Sequence, residues 1–274
     1  MTPDPFERYQ HNLHLSPIST PTLEALAGRC GLGRGSAVLD AACGKGGACL
    51  VLARRFGCQV AGVEARPEFA EEARRLALFA DLAHLVDVVE VPPDDLPFDE
   101  GYFDLILHLG PSRPFGALEA ARRLRPLARP GGRLILGCLV WKAGARAGAG
   151  EPLRAWLEGA AGAGLQEAEE LRRAFEAEGL AVEAAETEPD ASWEAFYAPQ
   201  ARVILENRRA PGLSPGAKDV LDRWQEELEL FHGGGGREAL AYSAFLLRLP
   251  DQDETPEGRI RYTGGRTSIW RETP

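Results

Sequence analysis

Residues 38–64 have the sequence VLDAACGKGGACLVLARRFGCQVAGVE, and this stretch decides the fold. It begins with a buried-strand pattern that ends at Asp40 and continues into a glycine-rich turn over 42–47, followed by an apolar run of helical period. A second strand over 59–63 then ends at Glu64. A strand, a glycine turn, a helix and a strand ending in an acid form the first half of a nucleotide-binding crevice, so an α/β fold is predicted.

The spacing of glycines and acids narrows the class of ligand. A dinucleotide fingerprint, Gly-x-Gly-x-x-Gly, requires a third glycine where the chain has Cys49, and Lys45 is followed by glycine instead of the serine or threonine of a phosphate-binding loop. The Asp40 carboxylate would repel a pyrophosphate, whereas it can hold a cationic amino group. Glu64 stands where a ribose diol would donate two hydrogen bonds. A ligand with a ribose and an amine but no phosphate, such as S-adenosylmethionine, suits both acids.

At this point the chain resembles the class I S-adenosylmethionine-dependent methyltransferases, and specifically a bacterial subgroup with small-molecule acceptors, methyltransferase types 11 and 25. The matching blocks follow the family's order and spacing over about residues 20–140. They are VLDAACGKGG at 38–47, GVE at 62–64, DLPF at 95–98, FDLI at 103–106 and LARPGGRL at 127–134. Two positions depart from the family pattern, because Ala42 replaces the first turn glycine and Pro92 replaces an acid near the adenine amine.

The resemblance implies a Rossmann-like, doubly wound sheet of seven strands, mostly parallel with an antiparallel last strand, plus a helical cap insertion. The corresponding division of the chain has four parts. They are N-terminal lid helices over 1–36, a core over 37–188 and 237–250, the cap insertion over 189–236, and a C-terminal tail over 251–274 in which a small hairpin is expected.

The family pattern also assigns the cofactor contacts. Asp40 would orient the methionine amine, Glu64 would bind the ribose, and the loop over 94–96 would hold the adenine. The strand end at 108–110 would lie against the methyl group. The predicted cofactor-binding residues are Asp40, Ala42, Cys43, Gly44, Gly46, Glu64, Ala65, Asp94, Asp95, Leu96 and His108.

Catalytic residues are less marked in the sequence. His108 and His14 are candidates for a general base, since histidine titrates in the right range, and the alternative for His108 is packing at a strand end. Methyl transfer can also proceed by positioning alone, because a sulfonium is already an activated donor. The block after the fourth strand is His-Leu-Gly-Pro, which argues against the Asn/Asp-Pro-Pro-Tyr/Phe chemistry of adenine-N6 methylation.

Aromatic residues suggest where an acceptor would bind. The segment Ser-Trp-Glu-Ala-Phe-Tyr over 192–197 resembles an element that follows the sixth strand in the same subgroup. Trp193 and Tyr197 are therefore predicted as walls of an acceptor pocket, together with Tyr9 and Trp141. The alternative is that the insertion's aromatics anchor its two helices to the sheet.

Composition limits the other possibilities. The formal net charge is −10, without a dense lysine or arginine block, which disfavours a nucleic-acid-binding protein. The five cysteines form no Cys-x-x-Cys pair, no metal-ligand cluster is apparent, and neither a signal peptide nor a membrane-spanning run is recognised, so a cytoplasmic protein is expected. The prediction is a methyltransferase acting on a small-molecule acceptor. A dinucleotide-dependent oxidoreductase and a non-catalytic S-adenosylmethionine-binding protein remain as alternatives.

Overall fold

The computed structural model describes residues 3–92, 95–110, 116–161 and 164–251. In these residues seven strands form one sheet: β1 Ala37–Asp40, β2 Gln59–Glu64, β3 Val86–Glu90, β4 Phe103–His108, β5 Ala128–Trp141, β6 Ala181–Thr187 and β7 Leu240–Arg248. Their order is β3-β2-β1-β4-β5-β7-β6. β7 is antiparallel to both neighbours and the remaining pairs are parallel, as the sequence predicts.

Helices connect and cover the strands. They are α1 Pro5–Arg8, α2 Thr20–Gly28, α3 Gly47–Phe56, α4 Pro67–Phe79, α5 Ala117–Leu124, α6 Glu151–Ala161, α7 Ala168–Ala177, α8 Asp190–Arg208, α9 Pro215–His232 and α10 Gly236–Ala239. Short 3-10 turns occupy Arg125–Leu127 and Ala145–Gly148. Within the described ranges, no helix combines the length and the apolar composition that crossing a membrane requires.

The sheet is buried on both faces, which explains the near-continuous apolar runs of its central strands. One face packs against α2, α3, α4 and the α8–α9 pair, and the other packs against α5 and α7. The strand order reverses between β1 and β4, and ligands of doubly wound sheets bind outside the carboxyl ends of the strands at such a point. Because β5 and β6 are both antiparallel to β7, β6 ends at the same edge as β1 and β2.

The pair α8–α9 forms a helical hairpin inserted between β6 and β7. Its inner surface is aromatic, since the ring of Phe231 lies 4.5 Å from that of Trp193 and 4.9 Å from that of Tyr197, centroid to centroid. The N-terminal helix is tied to this hairpin by Arg8, which donates to Gln200 at 2.7 Å and pairs with Glu227 at 2.8 Å.

Some elements differ from the sequence prediction. The apolar pattern of the sequence predicts a fifth strand over 133–140, whereas β5 begins at Ala128, which pairs with Phe103 across a register shift. The glycine- and alanine-rich region after β5 leads into α6, which the sequence pattern did not predict. The C-terminal tail and its expected hairpin over 259–270 lie outside the described residues.

Candidate functional site

The glycine turn follows β1 and is held against β2. The amide of Cys43 donates to the carbonyl of Val63 at 2.8 Å, which draws the turn toward the end of the neighbouring strand. Gly44 and Gly46 have φ angles of +55° and +77°, values that L side chains seldom adopt. The turn therefore needs glycine at these two positions. Ala42, at the mouth of the turn, does not have a positive φ, so alanine fits there.

Asp40 is a buried acid at the carboxyl end of β1. Its Oδ2 accepts a hydrogen bond from the thiol of Cys49 at 3.6 Å, and its Oδ1 has no partner among the described residues. Burial raises the pKa of Asp40 to about 7, and the negative charge of Glu64 adds to the shift. An unsatisfied buried oxygen is costly, so this carboxylate is suited to a ligand that brings a hydrogen-bond donor and a positive charge.

Glu64, at the end of β2, lies beside the same turn. One carboxylate oxygen accepts from the amide of Gly44 at 3.0 Å and the other from the amide of Arg66 at 2.9 Å. Each oxygen retains a lone pair, and the side chain is half-buried, so the carboxylate remains available to two ligand hydroxyls. Ala65 follows it and is exposed.

The N-terminal segment lies directly over the turn. Lys45 is buried, and its ammonium donates to the carbonyls of Tyr9 at 2.8 Å and Gln10 at 3.0 Å. A Cβ built on Gly44 would lie 2.5 Å from Leu15 Cδ1. Beneath this segment a crevice of about 30 Å³ is lined by residues that include Asp40, Ala42, Cys43, Leu109 and Gly110.

A larger cavity of about 420 Å³ lies between residues 11–21 and the start of α8. Its lining combines polar side chains with a larger apolar surface. It includes His11, His14, Ser19, Thr20, Ser192 and Phe196. The wall that separates it from the small crevice is shared, because Leu13, His14, Ser16 and Ile18 line both.

The two histidine candidates have different positions. His14 lines both cavities, its Nε2 lies 3.3 Å from Thr20 Oγ1, and burial lowers its pKa to about 4. His108 is also buried, with a pKa lowered to about 4 by burial, and its Nε2 has no partner in the described part of the chain. Asp40 pairs with Leu107, so alternation along β4 directs His108 to the opposite face of the sheet from Asp40. His108 lines neither of these two cavities.

The aromatic residues predicted as pocket walls also lie away from both cavities. Trp193 and Tyr197 are buried in the aromatic interior of the α8–α9 hairpin. Trp141 packs with Leu153, Leu157 and Leu240. The half-buried ring of Tyr9 lies 6.1 Å from that of Phe196. The cavity is lined instead by the adjacent face of α8, which carries Ser192 and Phe196.

The loop predicted to hold adenine is described only in part. Asp95 is exposed and its amide donates to the carbonyl of Pro92 at 3.1 Å, while the half-buried Leu96 accepts at its carbonyl from Phe98 at 2.9 Å. Asp94 lies outside the described residues. Its predicted contact stays a prediction.

Sequence reasoning missed Lys45 as a tether of the N-terminal segment and Glu188 as a buried acid beside the larger cavity. Lys45 lies in the glycine turn, but the sequence does not show which segment its ammonium contacts. Glu188 lies in no recognised motif and immediately precedes the insertion over 189–236. In the described portion of the chain no three histidine, cysteine or acidic side chains are arranged to hold a metal ion. The five cysteines are free thiols.

Comparison with known proteins shows which methyltransferases part of this chain is similar to. Residues 38–132 match the model of a methyltransferase domain. The chain is 37% identical to a sarcosine/dimethylglycine N-methyltransferase of Halorhodospira halochloris and 36% identical to a chloroplastic tocopherol O-methyltransferase of Arabidopsis thaliana. These matches span 34% and 36% of this chain, and only 36% and 29% of the relatives' own lengths.

Solved structures show the same fold over most of the chain. A methyltransferase of Thiobacillus denitrificans in complex with S-adenosyl-L-homocysteine aligns with a TM-score of 0.78 at 21% identity, covering 90% of this chain and 99% of that one. A Geobacter sulfurreducens methyltransferase, in complex with the same molecule, aligns with a TM-score of 0.77 at 20% identity, with the same coverage. The match identifies residues 38–132 as a methyltransferase domain, and the solved structures show that the described sheet has the Rossmann-like fold of S-adenosylmethionine-dependent methyltransferases.

Proposed function

We propose that this protein is an S-adenosylmethionine-dependent methyltransferase that acts on a small organic acceptor. The observation that carries the proposal is the pair of acids at the carboxyl ends of β1 and β2. Among the described residues one oxygen of Asp40 has no partner, and the oxygens of Glu64 each retain a lone pair. Both acids flank a turn with two glycines at positive φ. The match of residues 38–132 to the model of a methyltransferase domain supports the same assignment.

S-Adenosylmethionine fits the chemistry of these residues. Asp40 would hold its ammonium group and Glu64 its ribose hydroxyls, while Ala42, Cys43, Gly44 and Gly46 would form the surface beneath it. Ala65, Asp94, Asp95 and Leu96 would surround the adenine, and the strand end at His108 would border the site. When bound, this group supplies a methyl group already activated by its sulfonium.

Binding requires a change in the N-terminal segment. A ligand pocket of this kind has a volume of roughly 300–1,000 Å³, whereas the crevice beside Asp40 has about 30 Å³. The segment around Leu15 must therefore move away from the turn before a nucleoside can enter. This supports the proposed role of residues 1–36 as a lid.

The larger cavity is our candidate for the acceptor site. It lies at the edge of the sheet where β1 and β6 end, and His14 separates it from the crevice. The insertion over 189–236 forms its outer wall through α8, which supports the proposed role of that insertion as a cap. A neutral His14 is the better-placed of the two base candidates, since it borders both spaces.

The proposal gives the class of the acceptor, a small organic molecule, and leaves its identity open to the assay below. The relatives named above are an N- and an O-methyltransferase, so similarity alone does not select the acceptor atom. The net charge of −10 supports a small-molecule acceptor over a nucleic acid. The free thiols support a location in the reducing cytoplasm.

An assay for S-adenosylhomocysteine production tests the activity. The purified protein would be incubated with S-adenosylmethionine and pools of small amines, phenols, alcohols and carboxylic acids. We expect acceptor-dependent product in the wild type and a loss of at least about a hundredfold in Asp40→Asn, because a charge-assisted contact is removed. Binding of S-adenosylmethionine without turnover in any pool would instead favour the non-catalytic alternative.

A further inference from the structure

Glu188 is a buried acid directly after β6, and 4% of its surface is exposed. One oxygen accepts from the amide of Ser19 at 3.0 Å and lies 3.3 Å from the Ser19 hydroxyl. The other oxygen accepts from the hydroxyl of Ser192 at 2.5 Å. All these partners can donate, which is the hydrogen-bonding pattern of an ionised carboxylate. Both serines line the larger cavity.

The charge of Glu188 has no nearby counter-ion in the described part of the chain. Two other partly buried acids are paired, since Glu227 lies 2.8 Å from Arg8 and Glu183 lies 2.7 Å from Arg133. No lysine, arginine or histidine nitrogen of the described residues lies within 4 Å of the Glu188 carboxylate. Burying an unpaired charge is costly, so an arrangement of this kind is expected where a ligand brings the opposite charge.

The cavity lining does not supply that positive charge. None of its described lining residues is a lysine or an arginine, and the two histidines are His11 and His14. His14 is uncharged near neutral pH, because burial lowers its pKa to about 4. Glu188 therefore places a negative charge beside a cavity whose described lining contains no lysine or arginine, and low-dielectric surroundings strengthen its effect.

We propose that the larger cavity binds an acceptor that carries an amine, and that Glu188 sets this preference through Ser192. The proposal rests on the function proposed above and names its substrate class. The Ser192 hydroxyl donates its proton to Glu188, which leaves its oxygen lone pairs to accept from an N–H group in the cavity. Glu188 polarises this hydroxyl and makes it a stronger acceptor. An anionic group in the same place would be repelled.

Glu188 is therefore a positioning residue that acts on the ligand through a serine. A neutral hydroxyl compound would keep the hydrogen bond to Ser192 but lose the charge attraction, and a carboxylate would lose both. The expected order of affinity is amine, then alcohol, then carboxylate. If shape complementarity alone determined affinity, three molecules of the same shape would bind with similar affinity. The expected order therefore distinguishes recognition by charge from packing.

The test uses three probes of matched shape, benzylamine, benzyl alcohol and benzoate, with the protein first saturated with S-adenosylhomocysteine. Their binding is measured by calorimetry and by ligand-observed magnetic resonance. We expect benzylamine to bind at least about tenfold more tightly than benzoate, and Glu188→Gln to reduce this ratio below about threefold. Glu186→Gln is the matched control, because Glu186 is an exposed acid two residues earlier on β6, and it should keep the wild-type ratio.

A second variant covers the case in which Glu188→Gln does not fold. Ser192→Ala keeps the buried acid bonded to Ser19 and removes the hydroxyl that faces the cavity, so benzylamine affinity should fall while benzoate affinity does not. Equal affinities, tighter benzoate, no benzylamine binding, or a ratio unchanged in both variants would overturn the proposal. Failure to bind S-adenosylhomocysteine in the first step would instead count against the proposed function, so the two failures are distinguishable.

Discussion

The ammonium of Lys45, on the glycine turn, donates a 2.8 Å hydrogen bond to the carbonyl of Tyr9, in the N-terminal segment. A second bond of 3.0 Å joins the same ammonium to the carbonyl of Gln10. The turn that would contact a cofactor thus also holds, through Lys45, the segment that covers it. Opening the crevice and occupying it should be linked processes.

Replacing Lys45 with methionine should loosen the N-terminal segment. The variant loses two charge-assisted hydrogen bonds, and we expect a stability loss of about 1–3 kcal/mol with faster amide exchange over residues 9–16. S-Adenosylhomocysteine should associate faster. Lys218→Met, at an exposed position of α9, is the control and should match the wild type. Unchanged exchange in Lys45→Met would show that these bonds do not restrain the segment.

Gly47→Ala should also disturb the contact between turn and segment. An added Cβ would lie 2.5 Å from the carbonyl oxygen of Leu13 and 3.0 Å from His14 Nδ1, and a backbone atom cannot swing aside. We expect a loss of about 1–3 kcal/mol in thermal unfolding. Gly28→Ala is the matched control in α2, since no described heavy atom lies within 4 Å of its added Cβ. Equal stability of the two variants would show that the N-terminal segment does not pack this closely against Gly47.

The affinity for S-adenosylhomocysteine should depend on pH through Asp40. With a pKa of about 7 before binding, only a few per cent of this carboxyl is ionised at pH 5.5 and about half at pH 7, so affinity should rise about tenfold over this range. The ligand's ammonium stays charged throughout, and His14 and His108 titrate below the range. Calorimetry at several pH values measures the slope. Asp40→Asn should bind weakly with no such slope, and a similar slope in that variant would assign it to another group.

The folding stability of the ligand-free protein should also depend on pH through Asp40, but it should fall as the pH rises. The carboxyl of Asp40 has a higher pKa in the folded state than its ordinary value of 3.8, so the folded protein binds the proton more tightly. The contribution of Asp40 is therefore most favourable below pH 4 and is lost as the pH rises toward 7. Asp40→Asn should become more stable relative to the wild type between pH 4 and pH 8, as urea unfolding would show. A constant difference between the two proteins over this range is the contradicting result.

Trp193→Ala should chiefly damage the fold. Trp193 is buried with its ring stacked 4.5 Å from that of Phe231, so truncation should cost about 3–5 kcal/mol. Trp193→Phe retains an aromatic ring there and should lose less. Unfolding in denaturant compares the two variants. A stable Trp193→Ala protein with selectively reduced turnover would restore the predicted role of Trp193 as a pocket wall.

The fold and the methyltransferase domain over 38–132 were predictable because their signals are local. The strand, the turn and the helix around Asp40 occupy adjacent positions in the sequence, and positive φ at Gly44 and Gly46 is a property of single residues. The predicted sheet with its antiparallel last strand is confirmed by the strand order. The sequence predicts helices over 191–208 and 214–232, and α8 and α9 agree with these bounds to within one residue.

The cavity beside α8 was not predictable in the same way. Glu188 meets Ser19 across 169 positions of sequence, and only tertiary packing reveals that contact. An aromatic motif does not distinguish a pocket wall from a core, because both need large apolar rings. The sequence therefore pointed to Trp193 and Tyr197, whereas Ser192 and Phe196, on the neighbouring face of α8, line the cavity.

The most direct test of the central claim is a calorimetric titration of the wild-type protein with S-adenosylhomocysteine, beside an identical titration with NAD. The acids at Asp40 and Glu64 should bind a nucleoside that carries an amine and no phosphate, so we expect a Kd on the order of micromolar for S-adenosylhomocysteine and no measurable binding of NAD. Binding of NAD alone would contradict the account and favour a dinucleotide-dependent enzyme. Binding of neither ligand would contradict it as well, since the crevice would then lack the nucleoside affinity on which every proposed role depends.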